Sequence, residues 1–546
     1  MSTMNSNGFT PWPQKEIDSY LAKGIWQNQA IYQGVQQQAQ VNPEGIAIIA
    51  EGKQLSYAEL WQNIEYLAKG FLELGLRANE TCVLHLPNIV EFYLSFFALL
   101  RIGVRPVMAL PAHRYSELSY FVEFTQASSI ITSDQLTWSC DDVYRQLIDE
   151  HHCLRFPIVV ENKEKGAYNR ISTLLQLGKN SQKVLPSELT IVKKDIAFFQ
   201  LSGGTTGAPK LIPRTHNDYV YSVRMSNEVC QFEKNTRYLC VLPAAHNFPL
   251  SSPGALGVFL AGGTVILAPD PSPQTVCQLI QQHKITVTAL VPPLVIVILD
   301  YLTQNPQSLS SLEYIQVGGA RLSEQVARRI QPELGCQLMQ VFGMAEGLVN
   351  YTRLDDDFDE IIHSQGRPMS EWDDIKIVDE KGEAVQQGEA GILLTKGPYT
   401  IRGYFNAPEH NARSFNNDGY YITGDVVRLT SQGNLQVIGR DKDQINRGGE
   451  KIAAEEIENH LLAHGQVNNV ALVGLEDDTF GEKSCAVIQA QQPYPKVFEL
   501  KRFLRQRQLA DFKIPDRVEF VDQLPKTPVG KVDKKRLKAQ LQEQGA

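Results

Sequence analysis

The chain has 546 residues, 43% of them hydrophobic, enough for several buried cores and for two to four domains or subdomains. Its formal net charge of -9, without a long basic tract, argues against nucleic acid as the main partner. Eight cysteines without Cys-x-x-Cys spacing fit reduced thiols in a cytoplasm better than a disulfide or zinc framework, and the N-terminal MSTMNSNGFTPWPQKE lacks an apolar signal core. In chain order, the strand-like runs GIAIIA (45–50), TCVLHL (81–86), SSIITS (128–133) and FPIVVE (156–161) alternate with amphipathic segments such as YAELWQNIEYLAKGFLELG (57–75). That alternation predicts parallel sheets covered by helices. The polar stretches NKEKGAYNR (162–170) and GKNSQKVLPSE (178–188) are expected to be surface connections.

The next segment, FFQLSGGTTGAPKLIPRTH (198–216), carries the most chemistry. An apolar strand-like run empties into a loop in which Gly203, Gly204 and Gly207 let the backbone approach an anion without a Cβ in the way. Ser202, Thr205 and Thr206 offer hydroxyl donors, and Lys210 supplies positive charge. The pattern points to polyphosphate binding. It is not a Walker A loop, because Ala208 and Pro209 separate Gly207 from Lys210 and Leu211 follows the lysine. Farther on, ITVTALVPPLVIVIL (285–299) is too short to cross a bilayer comfortably and is interrupted by Pro292 and Pro293, so a soluble protein is expected, with no membrane partner. After GRDKDQ (439–444) a compact segment of about a hundred residues, richer in Lys and Arg toward its end, is expected to form its own small α+β domain.

The loop and the strings LSYAEL (55–60), FALLRIGVRPVMALPAH (97–113), VGGARLSE (317–324), VFGMAEG (341–347), YITGDVVRL (421–429), GRDKDQINRGGEKIAAEEIE (439–458) and LPKTPVGKVDKK (524–535) follow in the order of one family's motifs. Over nearly its full length the chain resembles the AMP-forming adenylating superfamily. The resemblance implies an α/β fold with a large N-terminal unit, 1–439, built of parallel-sheet subdomains plus a barrel-like subdomain. It also implies a small mobile α+β C-terminal unit, 440–546, turning on a hinge at Lys442. The reaction implied is attack of a carboxylate on the α-phosphorus of ATP with loss of pyrophosphate, which needs alignment and charge neutralisation rather than a protein nucleophile.

By the same resemblance the loop from Ser202 to Lys210 holds the β and γ phosphates, and Glu346 helps to bind Mg²⁺. Gly319 and the segment around Val341 and Gly343 flank adenine. Asp425 takes hydrogen bonds from both ribose hydroxyls, with Arg440 in support, and Lys531 enters from the small unit to bridge carboxylate and α-phosphate. Many members have Thr or Ser where this chain has Ala345, so main-chain groups are expected to suffice beside the α-phosphate. In a second step the small unit rotates, Lys531 withdraws, and Gly448 and Gly449 line a tunnel for a phosphopantetheine arm.

Acid selection is expected at PAAHNFPLSSPG (243–254), through His246, Asn247, Phe248 and Ser252. This cluster resembles the stand-alone aryl-acid adenylating enzymes of catechol siderophore assembly. Amino-acid-activating relatives carry Asp at the Asn247 position to neutralise a buried ammonium, which an amide cannot do. Asn247 and Ser252 are therefore expected to meet the two ring hydroxyls of 2,3-dihydroxybenzoate, whereas salicylate-selective relatives tend to place Cys at the Ser252 position. The implied acceptor is the phosphopantetheine thiol of a separate aryl carrier protein. Rival readings are a salicylate or benzoate ligase using CoA and, from another class, a protein that binds nucleotide without turnover.

Overall fold

The first long helix, Tyr57–Leu74, shows how the sequence writes the fold. Ser56 and Glu59 form a capping box at its start, Gly75 closes it in the left-handed conformation, and Leu60, Ile64, Leu67 and Phe71 bury one stripe. In the computed structural model the described residues are all except 1–3, 6, 137–140, 161–167, 188–192, 203–208, 321, 323, 380, 441–444, 453, 491, 526–531 and 544–546.

Two large sheets form the first part of the molecule. A seven-stranded sheet runs in the order Asn169–Arg170, Phe156–Val159, Ser129–Thr132, Thr81–His85, Arg105–Ala109, Ile196–Ser202 and Lys210–Thr215, parallel throughout except for the last pair. A nine-stranded sheet has a parallel interior, comprising Gln337–Met344, Tyr314–Gly318, Val287–Leu290, Arg237–Cys240, Thr264–Leu267 and Ile46–Ala50, with antiparallel strands at both edges. Parallel strands covered on both faces need continuous apolar runs, which is what GIAIIA and TCVLHL supply. The apolar stretch at 285–299 divides into the strand Val287–Leu290 and the helix Pro292–Gln304, whose prolines occupy first-turn positions where no N–H is needed.

The two expected surface connections are partly structured. Asn169–Arg170 form an edge strand, and 178–180 end the helix Ile171–Asn180. That helix presses on Tyr57–Leu74 so closely that a Cβ on Gly178 would stand 1.7 Å from the Tyr66 carbonyl oxygen, and one on Gly70 2.2 Å from that of Leu174. A polar composition does not reveal a glycine chosen for helix contact.

The unit expected to be barrel-like is a four-stranded antiparallel sheet, Asp374–Val378, Gly391–Lys396, Tyr421–Leu429 and Leu435–Arg440. The last sheet contains Glu450–Ile452, Ile445–Arg447, Gly481–Ala490 and Val467–Asp477, with Arg517–Phe520 pairing parallel to 481–490. Alternate residues of its long strands face different cores: Leu472, Ala486 and Ile488 pack with Ile457 and Leu500, whereas Ala471, Val473, Cys485 and Val487 pack with Leu537. No described helix is long and apolar enough to cross a membrane.

Candidate active site

The strands Ile196–Ser202 and Lys210–Thr215 pair with Ser202 opposite Lys210, so both residues stand at the mouth of the glycine loop. Gly203, Gly204, Thr205, Thr206 and Gly207 lie outside the described residues. Among the described residues the buried Ser202 Oγ has no hydrogen-bond partner, which leaves it able to donate to an outside acceptor. Lys210 Nζ lies 5.0 Å from the centre of the Tyr404 ring. The Tyr404 hydroxyl donates to Glu346 Oε1 at 2.8 Å and lies 2.9 Å from the Tyr421 hydroxyl. Burial, and then the Glu346 charge, push the Tyr404 phenol well above its ordinary pKa, so it remains a neutral donor. Glu346 is only 6% exposed. A carboxylate and an ammonium thus share one tyrosine; Glu346 would be the residue to hold a divalent cation there, and Lys210 one to face an anion.

The Glu346 turn is held from behind. A buried ion pair of 2.7 Å joins Arg214 to Asp218, and the Arg214 guanidinium also donates to the main-chain carbonyls of Ala345, at 2.5 Å, and Tyr399, at 3.1 Å. Ile401 N donates to the Glu346 carbonyl at 2.9 Å. Gly347, at φ +124°, has the Tyr399 carbonyl 2.1 Å from where a Cβ would sit, so no larger residue fits. Main-chain fixation thus accompanies the hydroxyl lacking at Ala345.

Asp425, 3% exposed, follows Gly424 on Tyr421–Leu429 and stands directly opposite Arg440 on Leu435–Arg440, although the side chain of Arg440 is outside the description. Two residues fifteen apart in sequence are therefore cross-strand neighbours. Val341 is opposite Gly318 where the parallel strands Tyr314–Gly318 and Gln337–Met344 run together, and Gly319 follows at φ +81°. Gly343, farther along, is exposed and pairs with Val349. Carboxyl ends of parallel strands are where ligands of open α/β sheets bind.

His246, Asn247, Phe248 and Ser252 are gathered on one short turn of helix, Asn247–Ser251. His246 Nδ1 accepts from Phe248 N at 3.2 Å and so caps that turn. The Phe248 ring lies 3.2 Å from the place of a Cβ on Gly318, which brings it to the end of the nucleotide-side strands. Asn247 Oδ1 accepts from the Tyr219 hydroxyl at 2.8 Å and from Ser251 Oγ at 3.3 Å. Ser252 is 4% exposed; its carbonyl accepts from Gln316 Nε2 at 3.0 Å, and its hydroxyl neighbours the buried Tyr351 phenol.

Gly448 and Gly449, at φ +60° and +93°, turn the chain between Ile445–Arg447 and Glu450–Ile452. The turn packs against the large sheet: Gly319 Cα would lie 3.9 Å from a Cβ on Gly449, and Val291 Cγ1 3.2 Å. Asn446 Nδ2 donates to the Gly319 carbonyl at 2.9 Å. Lys513 adds a buried contact, 2.9 Å from Glu117 Oε1 and 2.8 Å from Glu456 Oε1. Burial raises the Glu117 carboxyl, but the Lys513 ammonium and His113 outweigh it and leave it below the usual range. Lys442 and Lys531 lie outside the described residues.

Sequence reasoning missed Tyr219, Arg214, Tyr404 and Lys513. The string LIPRTHNDY did carry Arg214 and Tyr219 beside the glycine loop, but nothing in spacing ties a helix tyrosine to an asparagine 28 positions later.

The AMP-binding enzyme family model matches residues 35–405, and the AMP-binding enzyme C-terminal domain model matches 456–531. A vibriobactin-specific 2,3-dihydroxybenzoate-AMP ligase of Vibrio cholerae is 52% identical over 97% of this chain and 97% of its own length. A 2,3-dihydroxybenzoate-AMP ligase of Bacillus subtilis is 49% identical over 98% of both chains. Among solved structures, apo MbtA of Mycobacterium smegmatis is 40% identical, with a TM-score of 0.75 over 98% of this chain and 99% of that one.

Proposed function

Because the chain belongs to the AMP-binding enzyme family, we propose that it activates 2,3-dihydroxybenzoate with ATP and passes the aryl group to the phosphopantetheine thiol of an aryl carrier protein in siderophore assembly. The observation that carries this reading is the turn bearing Asn247 and Ser252, set within a chain half identical over its whole length to two 2,3-dihydroxybenzoate-AMP ligases.

In the first half-reaction an oxygen of the aryl carboxylate attacks the α-phosphorus of ATP. A C(O)O–P bond forms, the bond from the α-phosphorus to the bridging oxygen breaks, and pyrophosphate leaves. Ser202, the glycine loop and Lys210 hold the β and γ phosphates, and Asp425 with Arg440 holds the ribose. Glu346, fixed by Tyr404, is the residue for Mg²⁺, which when bound offsets charge on the departing pyrophosphate. Lys531 steadies the charge growing between carboxylate and phosphorus, a task for a mobile point charge.

In the second half-reaction the thiol attacks the aryl carbonyl, the acyl–phosphate bond breaks and AMP leaves. Gly448 and Gly449, lying against Gly319 and Val291, border the path by which a slender arm reaches the pocket from outside. The test is to incubate the chain with ATP, Mg²⁺, 2,3-dihydroxybenzoate and either a phosphopantetheinylated aryl carrier protein or CoA, and to weigh the carrier and the CoA. A mass gain of one dihydroxybenzoyl group, dependent on ATP, supports the reading; an unmodified carrier alongside active aryl-CoA formation overturns it.

A further inference from the structure

Tyr219 lies on the helix His216–Cys230, 1% exposed, with its ring edge-on to Phe198 at 4.7 Å and the Arg214 guanidinium 4.9 Å from its centre. Its position is therefore set by packing. Gln200 Nε2 donates toward the phenol oxygen at 3.4 Å. With its oxygen receiving this donor, the phenol directs its own proton at Asn247 Oδ1, 2.8 Å away. Ser251 Oγ lies 3.3 Å from that oxygen and 3.1 Å from the Asn247 main-chain carbonyl, between which its single proton is shared. The phenol thus engages the acceptor end of the Asn247 carboxamide, so what it offers is its two N–H groups.

We propose that Tyr219 is a positioning residue that sets the polarity of the acid pocket by holding Asn247 as a donor, so that the substituent ortho to the carboxylate must accept a hydrogen bond. This inference rests on the reading of the protein as an aryl-acid ligase. An ortho-hydroxybenzoate meets the demand: its hydroxyl proton closes a ring onto its own carboxylate, and the oxygen lone pairs face outward. An ortho-aminobenzoate of nearly the same shape does not, because its nitrogen lone pair is drawn into the ring and its N–H bonds point at other donors. A site built around a specific hydrogen bond rejects an analogue lacking it far more strongly than an apolar pocket rejects a size change.

The test measures kcat and KM in ATP/pyrophosphate exchange with salicylate and 2-aminobenzoate, for the wild-type chain, Tyr219→Phe and Ser251→Ala. Tyr219→Phe keeps the ring and its packing but frees the carboxamide to turn over. The wild-type chain should prefer salicylate by roughly 100-fold, and Tyr219→Phe should shrink that preference to less than about 10-fold, through a higher KM for salicylate at unchanged KM for ATP. Ser251→Ala should shrink it less. Because both acids are read in the same variant, a general loss of folding lowers both rates and leaves the ratio in place. An unchanged ratio in both variants overturns the inference alone. No exchange by the wild-type chain with either acid or with 2,3-dihydroxybenzoate overturns the underlying reading and this inference with it.

Discussion

The Lys513 ammonium stands 2.9 Å from the Glu117 carboxylate, joining residues 396 positions apart, and both side chains are at most 5% exposed. Glu456, on the helix Ala454–Leu462, completes the cluster at 2.8 Å. The lysine ends the short turn Asp511–Lys513, between the helix Val497–Gln506 and the strand Arg517–Phe520 of the last sheet, whereas Glu117 lies on Tyr115–Thr125 beside the seven-stranded sheet. The contact accompanies the placement of Gly449 against Gly319, the arrangement assigned above to thiol transfer.

Lys513→Met leaves Glu117 and Glu456 facing each other without a cation. Breaking a buried pair from one side costs about 3 to 5 kcal/mol; the share from Glu456, which lies in the same unit as Lys513, is common to every orientation, and the share from Glu117 falls on the docked arrangement alone. Transfer to a carrier protein should fall by at least about tenfold, the equivalent of about 1.4 kcal/mol, while pyrophosphate exchange changes much less. Measuring the two half-reactions separately checks this; an equal loss in both contradicts it.

Lys531→Ala should do the reverse. Removing one group that meets charge in a transition state costs about 10² to 10³ in rate, so exchange should fall by that factor while transfer from a supplied aryl adenylate stays near the wild-type rate. Rapid-quench assay of each half-reaction decides it, and equal losses would refute the mobile-lysine role.

The two lysines also show what the sequence made legible. Ser202, Lys210, Glu346, Asp425 and the turn at Asn247 could be singled out because the residues that mark them lie within a few consecutive positions, whose loop or strand-end character follows from local composition. Asp425 and Arg440 were expected to share a ribose; what the strands add is a register that places the two residues opposite each other. Tyr219 and Tyr404 were not readable, because in sequence they are ordinary apolar-face tyrosines and their partners are set by how distant elements cross. Lys513 was hidden for the same reason: a lysine looks solvated until the fold supplies two carboxylates for it. Gly70 and Gly178 give the same lesson in packing, since only the crossing of two helices explains them.

Ser252→Cys removes a hydroxyl from a site 4% exposed and beside the Tyr351 phenol. A thiol is a weak hydrogen-bond partner, and a buried polar group left unpaired costs about 1 to 3 kcal/mol. The ratio of kcat/KM for 2,3-dihydroxybenzoate over salicylate should fall by roughly one to two powers of ten. An unchanged ratio would take Ser252 out of acid selection.

Three buried histidines set the response to acid. Burial pulls His85 and His216 down to about 3 and His113 to about 4, in the last case against the pull of Glu117. The geometry agrees, since His113 Nδ1 accepts from Leu110 N at 3.0 Å and His216 Nδ1 from Ile31 N at 3.2 Å, each of which requires an unprotonated nitrogen. Below the ordinary histidine value near 6.5 the unfolded chain takes up protons that the folded chain refuses, so stability is complete above that pH and declines as pH falls. Each group contributes a slope of about 1.4 kcal/mol per pH unit, roughly 4 for the three together between about pH 6 and pH 4. Denaturant titrations across that range should show midpoints falling steadily; a flat profile contradicts neutral burial.

The most direct measurement is Mg²⁺-dependent ATP/pyrophosphate exchange with 2,3-dihydroxybenzoate, salicylate, benzoate, a fatty acid and a mixture of amino acids offered in turn. The expected result is exchange strongest with 2,3-dihydroxybenzoate, weaker with salicylate and weakest with the amino acids. Strongest exchange with an amino acid or a fatty acid, or none with any acid, would contradict an aryl-acid ligase built around Asn247 and Ser252.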